Sequence, residues 1–322
     1  MPTVVQTRGA IVEAVHSFSV ASVTLDGAVE VEGSDVETAF RSAAKPFQLA
    51  VSLEVLGDPE VTDAMLAVGS ASHSAEPVHL EVVRRILGQF GVSEGALKCG
   101  AHPPVHEPSA QAVLRAGGAF TELHNNCSGK HAFMVAAARH AGWDADYRPI
   151  GHPLQQRNRE VLERLAGRTA TVAIDGCGVP TFSFPLSGIA RAWTRVTQAM
   201  QQVESKSASD EFSRRLGRIG WAMARHPELT SGTGRLDLDV VRAAPEPLAV
   251  KVGAMGLFCM ALPRRNVALA VKVASGVSEA LPAAVRWALE RAGVTLALPS
   301  PWPLCEVRNV VGLPVGTVEV RP

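Results

Sequence analysis

Strand-like alternation is confined to the two ends of this chain, while its middle carries helical spacing. Residues 9–32, GAIVEAVHSFSVASVTLDGAVEVE, alternate apolar and polar side chains around a DG turn, the pattern of an antiparallel hairpin. In the last third, PLAVKVGAMGLFCMALP and NVALAVKVASG flank an RR pair and predict a second hairpin; VVGLPVGTVEVRP predicts a closing strand. Between them lie helical segments: one opening at Ser42, others over 60–70 and 77–91, PSAQAVLRAGG, and one entered from NNCSGKH. A short strand, ATVAID at 170–175, ends in the turn GCGVPTF, and helices dominate again to about residue 225. Strands supplied by both ends can be buried together only if the ends meet. The expected fold class is therefore α/β (α+β): an antiparallel sheet built from N- and C-terminal strands, with a largely helical middle inserted. Strand–helix alternation of the Rossmann kind is missing, as is a GxGxxG after a strand. With no repeat, low-complexity tract or linker, a single domain over 1–322 is expected.

Composition narrows the function. The chain is 47% hydrophobic and 19% charged with a formal net charge of zero, which gives a buried core but no electrostatic footprint for nucleic acid. No apolar run reaches the length of a membrane span, and MPTVVQTRGAIVEAVH lacks the basic start and apolar core of a signal peptide. The five cysteines are odd in number and widely spread, which fits a reduced, cytoplasmic protein. Only 6 of the 31 basic residues are lysine. In so arginine-rich a chain, a retained lysine marks a position that can use a group able to lose its proton.

Four segments can carry chemistry. In RSAAKPFQLA, 41–50, Ser42 and Lys45 stand three apart on one helix face, and the proline after Lys45 places both in a first turn. A desolvated lysine there can accept the serine proton; the alternative is a capping serine with a solvated lysine. NNCSGKH puts Cys127, Lys130 and His131 in one glycine-containing loop, either a metal half-site or an activated thiol, or simply a buried cysteine before a helix. IDGCGVPTF sets Asp175 at a strand end and Cys177 between glycines. VKVGAMG holds Lys251 inside an apolar strand, with glycines that let a ligand approach the backbone. Two weaker patterns compete. Cys99, His102 and His106 have ligand-like spacing but no fourth partner, and SASHS offers Ser72, His73 and Ser74 as a hydroxyl-rich loop.

Taken together, RSAAKPFQ, SASHS, LKCGAHPP, NNCSGKHAFM, IDGCGVPTF, HPEL and KVGAMG resemble the bacterial thermolabile, Rhizobium-type L-asparaginases of the asparaginase II family, along nearly the whole chain. The resemblance implies a fold similar to serine β-lactamases and penicillin-binding proteins, and hydrolysis of the side-chain amide of L-asparagine. It implies two Ser–Lys pairs, Ser42 with Lys45 and Ser74 with Lys251, with the question open whether the second shares the nucleophile's role. It also implies a Zn2+ site held by Cys127, Lys130 and Cys177, with Asp175 and His131 beside it, and a homodimer. The zinc would either position substrate or support the loops. TSGTGRLD, 230–237, departs from the family's most familiar pattern around its small residues. Two other classes compete: a serine amidase directed at β-lactams or peptides, and a non-catalytic zinc or ligand-binding protein.

Overall fold

In the computed structural model, which describes residues 1–299 and 302–321, the two ends of the chain do meet. Strands β1 (Thr3–Arg8), β2 (Ile11–Thr24), β3 (Val29–Glu32) and β4 (Glu37–Ala39) come first. The helical middle follows as α1 (Lys45–Val55), α2 (Asp63–Gly69), α3 (Pro77–Gln89), α4 (Glu107–Arg115), α5 (Ser128–His140) and α6 (Pro153–Ala166). A small hairpin, β5 (Thr171–Ile174) and β6 (Pro180–Pro185), precedes α7 (Leu186–Glu204), α8 (Glu211–Arg225), α9 (Pro227–Thr230) and α10 (Leu236–Ala243). Then come β7 (Ala249–Gly253), β8 (Leu257–Leu262), β9 (Val267–Val273), α11 (Leu281–Arg291), β10 (Glu306–Arg308) and β11 (Pro314–Arg321).

The main sheet runs β10-β11-β1-β2-β9-β8-β7, with β3 also on β2. Its seam joins the termini, Thr3 opposite Arg321, and the long β2 then carries the sheet to β9 in register from Phe18↔Val273 to Thr24↔Val267. Both faces of the central strands are covered, so β8 is buried at every position and reads as a continuous apolar run. Alternation still sorts its side chains. Leu257, Cys259 and Ala261 join the larger core under the helical middle, whereas Phe258, Met260 and Leu262 join a second core under α11. Where α7 packs on β9, the facing side chains are Ala268 and Ala270, small enough for a close approach.

Three features differ from the sequence expectation. The run 247–263 is not one strand but two, because the chain turns at Ala254–Gly256 with Met255 at φ 59° and Gly256 at φ 73°. VPTF, read as part of a turn, is the start of β6, which pairs with β4 and β5 in a separate three-stranded sheet. β1 was not foreseen; its six residues take their register from β11 and β2. Among the described residues no helix is long and apolar enough to cross a membrane.

Candidate active site

The entrance to α1 is built on one unusual backbone conformation. Arg41 has φ 46°, in the left-handed region that a non-glycine residue occupies at a cost of about 1–3 kcal/mol. Its partners hold it there: the Arg41 N–H donates to Thr181 Oγ1 at 3.2 Å, and its guanidinium Nε to Asp175 Oδ1 at 2.9 Å. A 3-10 turn, Arg41–Ala44, then leads into α1, where Pro46 is tolerated because a first-turn residue has no helical N–H bond to lose. Ser42 is left half-buried and facing a cavity of about 280 Å³. Its hydroxyl makes no hydrogen bond among the described residues, to Lys45 or to any other.

Lys45, the first residue of α1, is 1% exposed. Its amine donates to Ala71 O, to Ser72 Oγ at 3.0 Å and to Asn126 O at 3.5 Å. Burial lowers its pKa, partly opposed by the charge of Cys127, so the neutral amine is favoured relative to a solvated lysine. Ser72, which the sequence offered only as part of a hydroxyl-rich loop, thus shares the cavity wall with Ser42 and carries the Lys45 contact. Ser74 does not share that wall; its hydroxyl donates to Ser231 O at 3.0 Å. No local periodicity could have separated the two serines, because Ala75 at φ 56° turns the loop.

Lys251, on β7 next to the lining residues Val252 and Gly253, is fully buried and is not itself part of the cavity lining. Alternation puts Ala249 and Lys251 on the helical face of the sheet and Val250 on the α11 face. Its amine donates to Val252 O at 3.1 Å and lies 3.5 Å from Asp237 Oδ1. Complete burial lowers its pKa to about 8, with Asp237 opposing and the Lys45 charge assisting. No hydrogen bond joins it to Ser74 among the described residues. The β7–β8 turn, Gly253 to Gly256, completes that wall as bare backbone.

Behind Asn126 sits a second cluster. Lys130 Nζ donates to Cys177 Sγ at 3.1 Å, and Cys127 Sγ lies 3.1 Å from Asn126 Oδ1. A hydrogen bond from the Cys177 thiol, with the charges of Lys45 and Lys130, holds Cys127 well below the usual thiol range. Donating that proton, together with burial, pushes Cys177 up. Burial acts to lower Lys130, but the charges of Cys177, Cys127 and Asp175 outweigh it and raise it. Two thiols and an amine in mutual contact are soft sulfur and nitrogen donors, and three protein ligands leave one coordination position open. The donor set fits zinc. Among the described residues no three His, Cys, Asp or Glu side chains gather as a metal set, so any third donor here would be Lys130.

The remaining candidates have other partners. Asp175 holds Arg41 and the Gly176 N–H. His131 Nδ1 meets the Tyr147 hydroxyl at 2.8 Å, and burial keeps the ring neutral. His73 accepts the Ala75 N–H on Nδ1, so its Nε2–H donates to Ser128 Oγ at 2.9 Å and neither nitrogen is free to serve a serine. Cys99 reaches Glu122 O, His102 the Asn126 N–H and Pro103 O, and His106 Ser109, so this trio does not assemble.

Comparison with known proteins gives the family. A family model described as L-asparaginase II matches residues 4–320. No curated protein sequence matches the chain. Among solved structures, Mglu in its native form is 17% identical, with 87% of this chain and 65% of that one covered and a TM-score of 0.45. Mglu in its glutamate form is 16% identical over 85% of this chain and 60% of that one, with a TM-score of 0.46. A β-lactamase from Mycobacterium bovis is 12% identical over 86% of this chain and 95% of that one, with a TM-score of 0.41. The chain spans about three-fifths of the length of the Mglu structures. At these scores the family match, not the structural likeness, identifies the chain.

Proposed function

The chain belongs to the L-asparaginase II family, and from that premise we propose that it hydrolyses the side-chain amide of L-asparagine to L-aspartate and ammonia by Ser–Lys acyl transfer. The observation that carries this reading is a hydroxyl free of partners among the described residues, Ser42, sharing a small cavity with Ser72, whose own hydroxyl rests on the buried amine of Lys45. A volume of about 280 Å³ lies just under the range of about 300–1,000 Å³ usual for drug-sized ligands. It suits a single amino acid.

In this mechanism Ser42 Oγ attacks the amide carbon while its proton passes by way of Ser72 Oγ to the neutral amine of Lys45. The backbone N–H groups of Ser42 and Ala254, two residues of the cavity lining, would receive the developing oxyanion. The cation of Lys251, held by Asp237, adds positive potential on the same side. Lys45 returns the proton to the departing nitrogen and ammonia leaves. Water, deprotonated by the same amine, then cleaves the aspartyl ester and restores Ser42. Buried Lys45 suits this cycle because its desolvation favours the neutral form at the start of each half-reaction.

Cys127, Lys130 and Cys177 would hold Zn2+, which when bound supplies a fixed positive charge and an open coordination position beside the cavity. Asn126, with its Oδ1 3.1 Å from Cys127 Sγ and itself lining the cavity, connects that cluster to the serines. A cytoplasmic homodimer completes the proposal; light scattering of the purified protein tests its assembly. The functional test is ammonia release from L-asparagine and L-glutamine, and ring opening of a chromogenic β-lactam read by absorbance, by wild type and Ser42→Ala. The expected result is turnover of L-asparagine that falls at least about 10³-fold in Ser42→Ala. Turnover of the β-lactam alone would move the protein to a different class of serine amidase.

A further inference from the structure

Of the segment TSGTGRLD, 230–237, only Asp237 enters the chemistry above, yet the rest of it is pinned firmly against the site. Gly232 has φ 127°, and a Cβ there would come within 2.6 Å of Ser74 Oγ and 2.5 Å of Glu76 Oε1, so only glycine passes. Thr233 donates its N–H and its hydroxyl to the two oxygens of Glu76, at 2.8 and 2.9 Å. Gly234, at φ 71°, then turns the chain so that Arg235 reaches the cavity that holds Ser42 and Ser72.

Arg235 stands in that cavity lining without a counterion. Among the described residues its guanidinium makes no ion pair and no hydrogen bond, although most arginines near an acid in this protein do. The nearest acid in sequence, Asp237, does not pair with it: its Oδ1 accepts the Val252 N–H at 2.9 Å and faces Lys251 at 3.5 Å, and its buried Oδ2 meets no partner among the described residues. In the adjoining cavity of about 580 Å³, which Arg235 also lines, Glu306 is paired with Arg308 and Glu279 accepts from Ser278. Within the Ser42 cavity Arg235 is the sole charged side chain of the lining; the rest are hydroxyls, one amide, apolar groups and bare backbone. An uncompensated guanidinium in such a wall is a place for an anion, and its planar fork matches a carboxylate bidentately.

We propose that Arg235 is the carboxylate anchor of the active site: it binds the free α-carboxylate of an amino-acid amide whose side-chain carbonyl lies at Ser42. This rests on the asparagine reading above. It makes the site selective for amides bearing a free carboxylate at a fixed distance, and against esters or peptide-linked forms of the same side chain.

Steady-state kinetics test it with L-asparagine and L-asparagine methyl ester, read as ammonia release, on wild type, Arg235→Gln and Arg235→Lys. The expected result is a KM for L-asparagine raised about 10- to 100-fold in Arg235→Gln, with kcat changed less than about threefold and a smaller rise in Arg235→Lys. The ester should already bind poorly to wild type and respond less than about twofold to either substitution. An unchanged KM for L-asparagine in Arg235→Gln, or equal rises for acid and ester, overturns the anchor while leaving the asparaginase reading intact. If wild type releases no ammonia from L-asparagine, that reading fails instead. Calorimetric titration with L-aspartate then decides the anchor: binding lost in Arg235→Gln supports it, and binding that is equal in both proteins, or undetectable in both, overturns it.

Discussion

The two walls of the cavity are built on opposite principles. On the α1 wall, Lys45 and Ser72 are buried and hydrogen-bonded, and the thiol–amine cluster behind them is equally enclosed. On the β7 wall the surface is glycine backbone, Met255 is 61% exposed, and Arg235 stands without a counterion. Desolvation is what lowers a lysine enough to take a proton, so proton transfer belongs on the first wall. Recognition needs groups that a ligand can reach, and these lie on the second. Lys251 belongs to both, since it is as buried as Lys45 but answers to the Asp237 carboxylate on the recognition side.

The largest expected effect strikes the buried wall. Lys45→Arg keeps a cation at the position but removes the ability to lose its proton, and kcat/KM for L-asparagine should fall about 10³- to 10⁴-fold with the protein still folded. A loss under tenfold would mean that the amine is not the base. A sharper division follows between two serines of one loop. Ser72→Ala, which takes the hydroxyl from Lys45, should cost about 10²-fold in kcat, whereas Ser74→Ala should cost less than about fivefold. The reverse order would restore the pairing of Ser74 with Lys251 that the family resemblance implies.

Lys251 then gives a pH signature. Its cation is present below about 8 and lost above it, so kcat/KM should decline as pH rises through 8, and Lys251→Arg should move that limb above about pH 10. Linkage supplies an independent readout. Because the folded pKa of about 8 lies below the ordinary 10.5, the unfolded chain binds the extra proton between those values. Stability should therefore rise with pH across that window relative to Lys251→Met, as urea unfolding at pH 8 and pH 10.5 would show. The smallest effect belongs to the open wall: Met255→Ala, an exposed turn side chain, should change stability by no more than about 0.5 kcal/mol.

The same contrast marks what the sequence could convey. Terminal strands and a helical middle were readable because alternation and turn signals are local, and the Ser42–Lys45 spacing was readable because a helix fixes it. The turn at Met255 was not, since a left-handed methionine carries no glycine or asparagine signal. β6 was hidden behind a proline and a glycine-rich turn. Ser72 could not be told from Ser74, nor Arg235 from 24 other arginines, because burial against Lys45 and lack of a counterion are properties of the packed molecule.

The central claim is that Ser42 forms the acyl-enzyme. Rapid acid quench of the enzyme turning over L-asparagine, followed by peptide mass mapping, tests it most directly. An aspartyl group is expected on the peptide carrying Ser42, absent from Ser42→Ala. An aspartyl group on the peptide carrying Ser72 and Ser74, or turnover by Ser42→Ala at the wild-type rate, would contradict it.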